Sequence, residues 1–502
     1  MALELPKAAP GQSTMSQVKS EWSLDLATRE ISRKLRGAEL IVRAAELTNN
    51  GSFQLNILGE FETSIPKAEL RKRCQTAWWL TRQSLPLVGV TLGSDQAFLK
   101  LLQSVDDAER WISETCLFED NVTCEEVLLK QCRQISDVTT LTVILEPSSG
   151  RQGCVLNISH TLTSLDVYRI IDSFVSNLSA RECDADFAQS FSPESASLLP
   201  RLPQSLSHAY TSQNADVTAA QRAEAMTIYE RAQARWARPS IGIPTHAGHH
   251  TRASLMHNEH VRFPAALVAA ALAAAKQHGV TLTALFFACI TAGIQARYDG
   301  PPDDEADGGA HLVFSGNAKR WAAIRASERH APVGMSILPG ALWLDRADLC
   351  AGPADAAAQN VFALARTIQA RQQQDLASQH IIGVYDELAP RAFQAAMGSS
   401  TPPPAVPAVS RPTLTSQGEF AKQAARGAAA ARARLVHFRS GGRNTDPNVC
   451  FALYSFRGDM RCNLLFDGKY FDRDDVVGLM DNIMALFRRA AFSGENTTSS
   501  KI

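Results

Sequence analysis

Phe53, Leu55, Ile57 and Phe61 alternate with polar or small residues, and this period of two predicts a strand over 53–61. Upstream, the apolar spacing predicts a helix from Leu24 to Leu47. Downstream, Leu70, Cys74, Ala77, Trp78 and Thr81 share one face of a predicted helix, Ile65 to Leu85, which is followed by a strand over Leu87–Leu92. The 106–132 region is mixed and charged. Two β-branched, apolar runs, Leu141–Glu146 and Cys154–Ile158, then predict strands joined by a Pro-Ser-Ser-Gly turn at 147–150. Behind them Val167, Ile170, Ile171, Phe174, Val175 and Leu178 recur at helical spacing.

Residues 184–258 lack a long apolar period and are rich in Ser, Pro, Ala, Gln and His. They predict a crossover linker with one helix around Ala219–Trp236. The second half opens with an Ala-rich helix, Pro264–Gln277. Gly279 can end that helix, and Thr281 or Thr283 can cap the next, which runs to Tyr298. Mainly helical structure is expected over 351–397. A Pro-rich break at 401–412 precedes the segment Pro412–Gly418. Val449–Phe466 predicts a hairpin turning at Arg457-Gly458-Asp459, and Val476, Val477, Leu479, Met480, Ile483 and Leu486 line one face of a closing helix.

At 502 residues the chain is too long for one ordinary core. Hydrophobic residues at 45% and charged residues at 20% describe a soluble globular protein, and a net charge of −1 argues against general affinity for nucleic acid or anionic membrane. No apolar run approaches a membrane span, and Met1–Lys7 does not resemble a secretion signal. The ten cysteines have no paired metal spacing, which fits reduced, buried thiols in a cytoplasmic protein; Cys116, Cys124 and Cys132 recur every eight residues as in helix packing.

The candidate chemistry centres on His160, at the end of the strand in Cys154-Val-Leu-Asn-Ile-Ser-His160-Thr-Leu-Thr-Ser164-Leu-Asp166. A histidine on so rigid a mount suits proton transfer at neutral pH. The segment resembles the His-x-x-x-Asp-Gly motif of the CoA-dependent acyltransferase superfamily, which includes chloramphenicol acetyltransferase, BAHD acyltransferases, condensation domains and fungal trichothecene O-acetyltransferases. Counted from His160, the motif's Asp falls on Ser164 and its Gly on Leu165, with Asp166 the nearest carboxylate. The helix-Gly-Val-Thr-helix segment at 264–298 is similar to the segment that opens the second half of condensation-like domains, and Leu312–Arg320 and Pro332–Pro339 resemble the strand and Pro-Val-Gly stretches found there. Pro412–Gly418 resembles the family's Ser-rich, Gly-ending segment, and the closing hairpin with Tyr470 and Phe471 is similar to the fungal trichothecene branch. The Asp-Phe-Gly-Trp-Gly box of the plant members has only Phe438–Arg443 as its nearest counterpart.

The resemblance implies an α/β fold of two chloramphenicol-acetyltransferase-like subdomains face to face around a central tunnel. The first spans 1–183 and carries His160; the linker covers 184–258 and the second subdomain 259–502. It implies acyl transfer, most simply of an acetyl group, from acyl-CoA to a hydroxyl of a secondary metabolite such as a terpenoid or polyketide, with His160 as general base. Ser164 and Asp166 would support the loop, and Thr415, Ser416 and Gly418 would line the tunnel or stabilise the oxyanion. Acyl-CoA is then a co-substrate beside a small-molecule alcohol, with no bound cofactor or metal; a carrier-protein thioester is the other donor, and the chain is expected to act as a monomer. A degenerate fold member that binds or cyclises a hydrophobic metabolite is the alternative.

Other chemistries are weaker. There is no Gly-x-Ser-x-Gly elbow, and Ser159 and His160 point to opposite faces of a strand, against a Ser hydrolase. His246, His249, His250, His257 and His260 lie among loop residues without a metal-ligand pattern. Ser500-Lys501-Ile502 resembles a peroxisomal address, the alternative to a cytoplasmic location.

Overall fold

The computed structural model describes residues 20–145, 151–163, 167–184, 187–214, 216–236, 238, 240–298, 309–318, 321, 334–349, 357–398, 406–420 and 432–493. The 147–150 turn, Ser164, Asp166 and Ser500–Ile502 lie outside them.

The first large sheet runs in the order Ala433–Gly442, Gln54–Thr63, Arg151–Ser159, Thr140–Leu145, Cys116–Asp120. All neighbours are antiparallel except the last pair. The alternation read at 53–61 becomes the strand Gln54–Thr63, whose Ile57 and Phe61 are buried in one core with Trp78 and Phe174. Helices Lys67–Ser84 and Val167–Leu178 cover that face. On the other, Leu58, Val155 and Ile144 pack against Cys124–Cys132 and Met256. The edge strand Ala433–Gly442 comes from the second half of the chain, so the first sheet is completed by residues far from it in sequence.

The second large sheet follows the order Met256–Phe263, Asp459–Asp467, Cys450–Phe456, Thr413–Glu419, Gly309–Asn317, Ile337–Asp345, with Ser240–Ile241 pairing beside Gly309. Helices Ala265–Gln277, Leu282–Arg297, Ala357–Asp375 and Arg473–Ala491 contribute to its core. Thr281 caps the Leu282 helix, accepting from the Ala284 amide at 3.1 Å. Arg457 and Gly458 both adopt positive φ (52° and 82°), which makes the Arg-Gly-Asp triplet a tight hairpin turn whose twist matches its strands. Among the described residues no single helix is long and apolar enough to cross a membrane.

Two predicted elements and one recurrence differ. The 24–47 helix is in fact the strand pair Ser23–Asp25 and Glu30–Lys34 followed by a helix only over Ala38–Thr48. The break is local: the Asp25 carboxylate accepts from the amides of Ala27 (2.8 Å) and Thr28, closing a turn that helical continuation would need open. Pro86 starts a 3₁₀ turn, Pro86–Gly89, so only Thr91–Leu92 remains of the strand expected there. Cys116 opens a strand, whereas Cys124 and Cys132 bound a helix, so the eight-residue recurrence is not one helical stripe.

The 184–258 segment holds the helix Ala219–Trp236 as expected, and also Leu206–Gln213. It is tied down by Glu194, whose fully buried carboxylate accepts from Arg82 Nε (2.8 Å), Arg82 Nη2 (2.9 Å) and the Leu102 amide (2.9 Å).

Candidate active site

His160 follows the last residue of Arg151–Ser159, a strand buried almost throughout. The chain turns at once: the Leu162 amide donates to the Ser159 carbonyl at 3.2 Å, and the Thr161 amide to Ser159 Oγ at 3.0 Å. His160 Nδ1 lies 2.9 Å from the Thr163 carbonyl oxygen. A carbonyl can only accept, so Nδ1 carries the proton and Nε2 keeps its lone pair. Burial pushes the imidazole below its ordinary range, against the opposing pull of the backbone carbonyls of His160 and Thr163. A half-buried, neutral imidazole of fixed tautomer is what a base needs.

The turn is braced from a distant helix. Glu46 lies in the last turn of Ala38–Thr48 and is almost fully buried. Its Oε1 accepts from Ser159 Oγ at 2.5 Å, and its Oε2 from Thr161 Oγ1 at 3.3 Å and Arg43 Nη1 at 3.1 Å. Burial raises its carboxyl above the usual range, opposed by those hydrogen bonds and the Arg43 charge. A helix C-terminus also disfavours a carboxylate, so this group depends on its partners. Ser159 thus bonds to Glu46 and not to His160, in keeping with its place on the opposite face of the strand. Sequence reading missed Glu46, Arg43 and the roles of Ser159 and Thr161. The one local signal is Arg43 and Glu46 at i, i+3.

Thr415, Ser416 and Gly418 all lie on Thr413–Glu419 of the second sheet. Ser416 Oγ is 3.0 Å from Thr283 Oγ1, and the ladder to Cys450–Phe456 is irregular between Ser416 and Gly418. Gly418 adopts a φ of 78° and faces open space. Phe420, two residues on, meets Tyr168 of Val167–Leu178, the rings tilted with their centroids 5.1 Å apart. Gln417 Nε2 donates to Ser440 Oγ at 3.2 Å, joining this strand to the first sheet. The strand therefore runs from the second core to the elements that carry His160. Among the described residues, no hydrogen bond joins Thr415, Ser416 or Gly418 to the His160 ring.

Among the described residues the five histidines form no metal-holding group, and His257 and His260 lie not in a loop, as expected, but on the strand Met256–Phe263, paired with Asp459–Asp467. His246 Nε2 lies 3.2 Å from Asp472, His249 Nδ1 donates to the His246 carbonyl, and His257 stacks on Phe466.

No family model matches the chain. It is 29% identical to an acyl-CoA-dependent acyltransferase, MAC2, of Pseudozyma antarctica (strain T-34), over 96% of this chain and 98% of that protein. Its fold superposes on TRI3 trichothecene 15-O-acetyltransferase from Fusarium sporotrichioides with a TM-score of 0.78 at 13% identity, covering 95% of this chain and 100% of that one. The cyclization-docking bidomain of the peptide synthetase EpoB from Sorangium cellulosum superposes with a TM-score of 0.56 at 13% identity, over 93% and 87% of the two chains. The structural likenesses establish the two-subdomain fold, and the near full-length sequence likeness is to an acyl-CoA-dependent acyltransferase. The chain has the two-subdomain fold of chloramphenicol-acetyltransferase and condensation-domain type, and over nearly its whole length its sequence resembles that of an acyl-CoA-dependent acyltransferase.

Proposed function

We propose that this acyltransferase moves an acyl group, most simply acetyl, from acyl-CoA to a hydroxyl of a secondary metabolite such as a terpenoid or polyketide. The observation that carries the reading is the His160 tautomer: Nδ1–H is held by the Thr163 carbonyl, and Nε2 is left as the basic atom. In the forward step Nε2 takes the hydroxyl proton as the alcohol oxygen bonds to the thioester carbonyl carbon. The tetrahedral adduct collapses, the C–S bond breaks, and the proton on Nε2 passes to the departing thiolate. The imidazole ends as it began. A base so placed contributes about 10²–10⁴-fold.

The adduct's oxyanion needs a donor at about 3 Å, worth roughly 3–4 kcal/mol. The hydroxyls of Thr415 and Ser416 and the backbone around Gly418 are the candidates from the second subdomain; the open space at Gly418 and the approach of Phe420 to Tyr168 support them. Acyl-CoA dependence of the relative supports CoA as the donor handle.

The test is thiol release from acetyl-CoA with a panel of hydroxylated terpenoids and polyketides, comparing the wild type with His160→Ala. Release that needs both an alcohol and His160 supports the reading. Release that persists in His160→Ala removes the histidine from the mechanism. Binding of the alcohols without any release favours a degenerate cleft.

A further inference from the structure

We propose that Glu46 is a positioning residue: its carboxylate grips the hydroxyls of Ser159 and Thr161, the neighbours of His160 on either side, and so holds the imidazole at the reacting centre. The inference rests on His160 being the base, and adds what aims it.

The bonding is closed on every side. Ser159 Oγ donates to Glu46 Oε1 (2.5 Å) and accepts the Thr161 amide (3.0 Å), so both roles of that hydroxyl are used. Thr161 Oγ1 donates to Oε2 (3.3 Å), which also accepts from Arg43 (3.1 Å). Residues 159 and 161 are both buried, so water does not compete for these groups. With its two neighbours tied to a single rigid carboxylate, the Cα–Cβ direction of His160 is set. The Thr163 carbonyl then sets the ring rotation. Nothing about the base is left free to wander.

The clamp itself is well mounted. Arg43 Nε donates to the Gly93 carbonyl (2.9 Å) and Arg43 Nη2 to Asp137 (3.0 Å), while the Gly51 amide donates to the Glu46 carbonyl (2.8 Å). Where the superfamily motif would place a supporting Asp, this chain has Ser164; Glu46 brings a carboxylate to the same turn from another segment. If Glu46 served only to neutralise buried Arg43, the two hydroxyls would be incidental, and that difference can be measured.

Amide hydrogen exchange across 159–163 and thiol release from acetyl-CoA are followed in wild type, Glu46→Ala, Glu46→Gln, Ser159→Ala and the Glu46→Ala/Ser159→Ala double variant. In Glu46→Ala, exchange at Thr161 and Leu162 should rise about 10-fold or more. Its kcat should fall about 10–100-fold with KM for acetyl-CoA within about twofold, as expected when a catalytic group is displaced by an ångström or less. Glu46→Gln keeps an acceptor for Ser159 and should recover most of that loss, and the double variant should be no worse than Glu46→Ala alone. Unchanged exchange overturns the clamp, as does faster exchange with wild-type kcat, or additive losses in the double variant. Should Glu46→Ala fail to fold, Ser159→Ala with Thr161→Val decides in the same way, because Glu46 then keeps Arg43. If wild type and His160→Ala release thiol alike, the base assignment fails, while the exchange data still judge the clamp.

Discussion

At His160 the direction of the pKa shift makes a prediction about rate. Burial favours the neutral ring, so the basic form persists to lower pH than for a free imidazole. The kcat/KM profile should therefore rise with pH through an apparent pKa below about 6.5 and be flat from neutrality upward. A profile still climbing at pH 8 would assign the base elsewhere. His311 is a second residue of this kind, with a different readout. It is fully buried against Trp236, and burial, with Arg411 and Arg235 nearby, pushes it down to about 3. An unfolded chain protonates this ring below about 6.5 while the folded one does not, so stability is lost as pH falls from there. The loss from this residue should be about 2 kcal/mol at pH 5. Urea titrations at pH 7 and pH 5 should show a smaller drop for His311→Leu than for wild type. His160 was legible in the sequence because strand and helix periods meet at it. Glu46 was not, because its partner Ser159 is 113 positions away and no period encodes a hydroxyl–carboxylate contact.

At the scale of elements, anchors outside the catalytic turn decide what stays in place. Removing Glu194 would leave Arg82 buried without its partner and the Leu102 amide without an acceptor. Glu194→Ala should cost about 3–5 kcal/mol in urea-unfolding free energy, whereas Glu387→Ala, which breaks an exposed pair with Arg222, should cost under about 1 kcal/mol. Gly418 makes a finer test. Its φ of 78° penalises any Cβ, yet nothing stands within reach of one, so Gly418→Ala should cost about 1–2 kcal/mol from backbone strain alone. Long periodic elements such as Gln54–Thr63, Ala219–Trp236 and Arg473–Ala491 could be read from spacing, because burial on one face writes a period into the chain. The pair Ser23–Asp25 and Glu30–Lys34 could not: three and five residues hold too little period to compete with the helical spacing that follows.

Over the whole molecule, the two sheets are stitched by Ala433–Gly442. Arg439 on this strand bonds Glu125 of the first half and the Asn258 carbonyl of the second sheet's edge strand. Phe438 meets Phe420, Tyr454 and Phe456. A fragment of residues 1–258 would leave Gln54–Thr63 as a bare edge and Phe61 and Ile57 with part of their cover gone. Such a fragment should sediment as aggregate and lack a cooperative melt, whereas the full chain should melt as one unit. No periodicity could announce this arrangement, since a strand's pattern reports that one face is buried and not which sheet buries it. The same strand sets a rule for recombining relatives. A chimera that keeps the first half of this chain and borrows the second from another acyltransferase inherits a foreign seam strand lying against native Gln54–Thr63. Parents should therefore be exchanged with 433–442 grafted back as a cassette, and donor and acceptor preferences can be shuffled between halves only when that cassette travels with the first half whose sheet it completes.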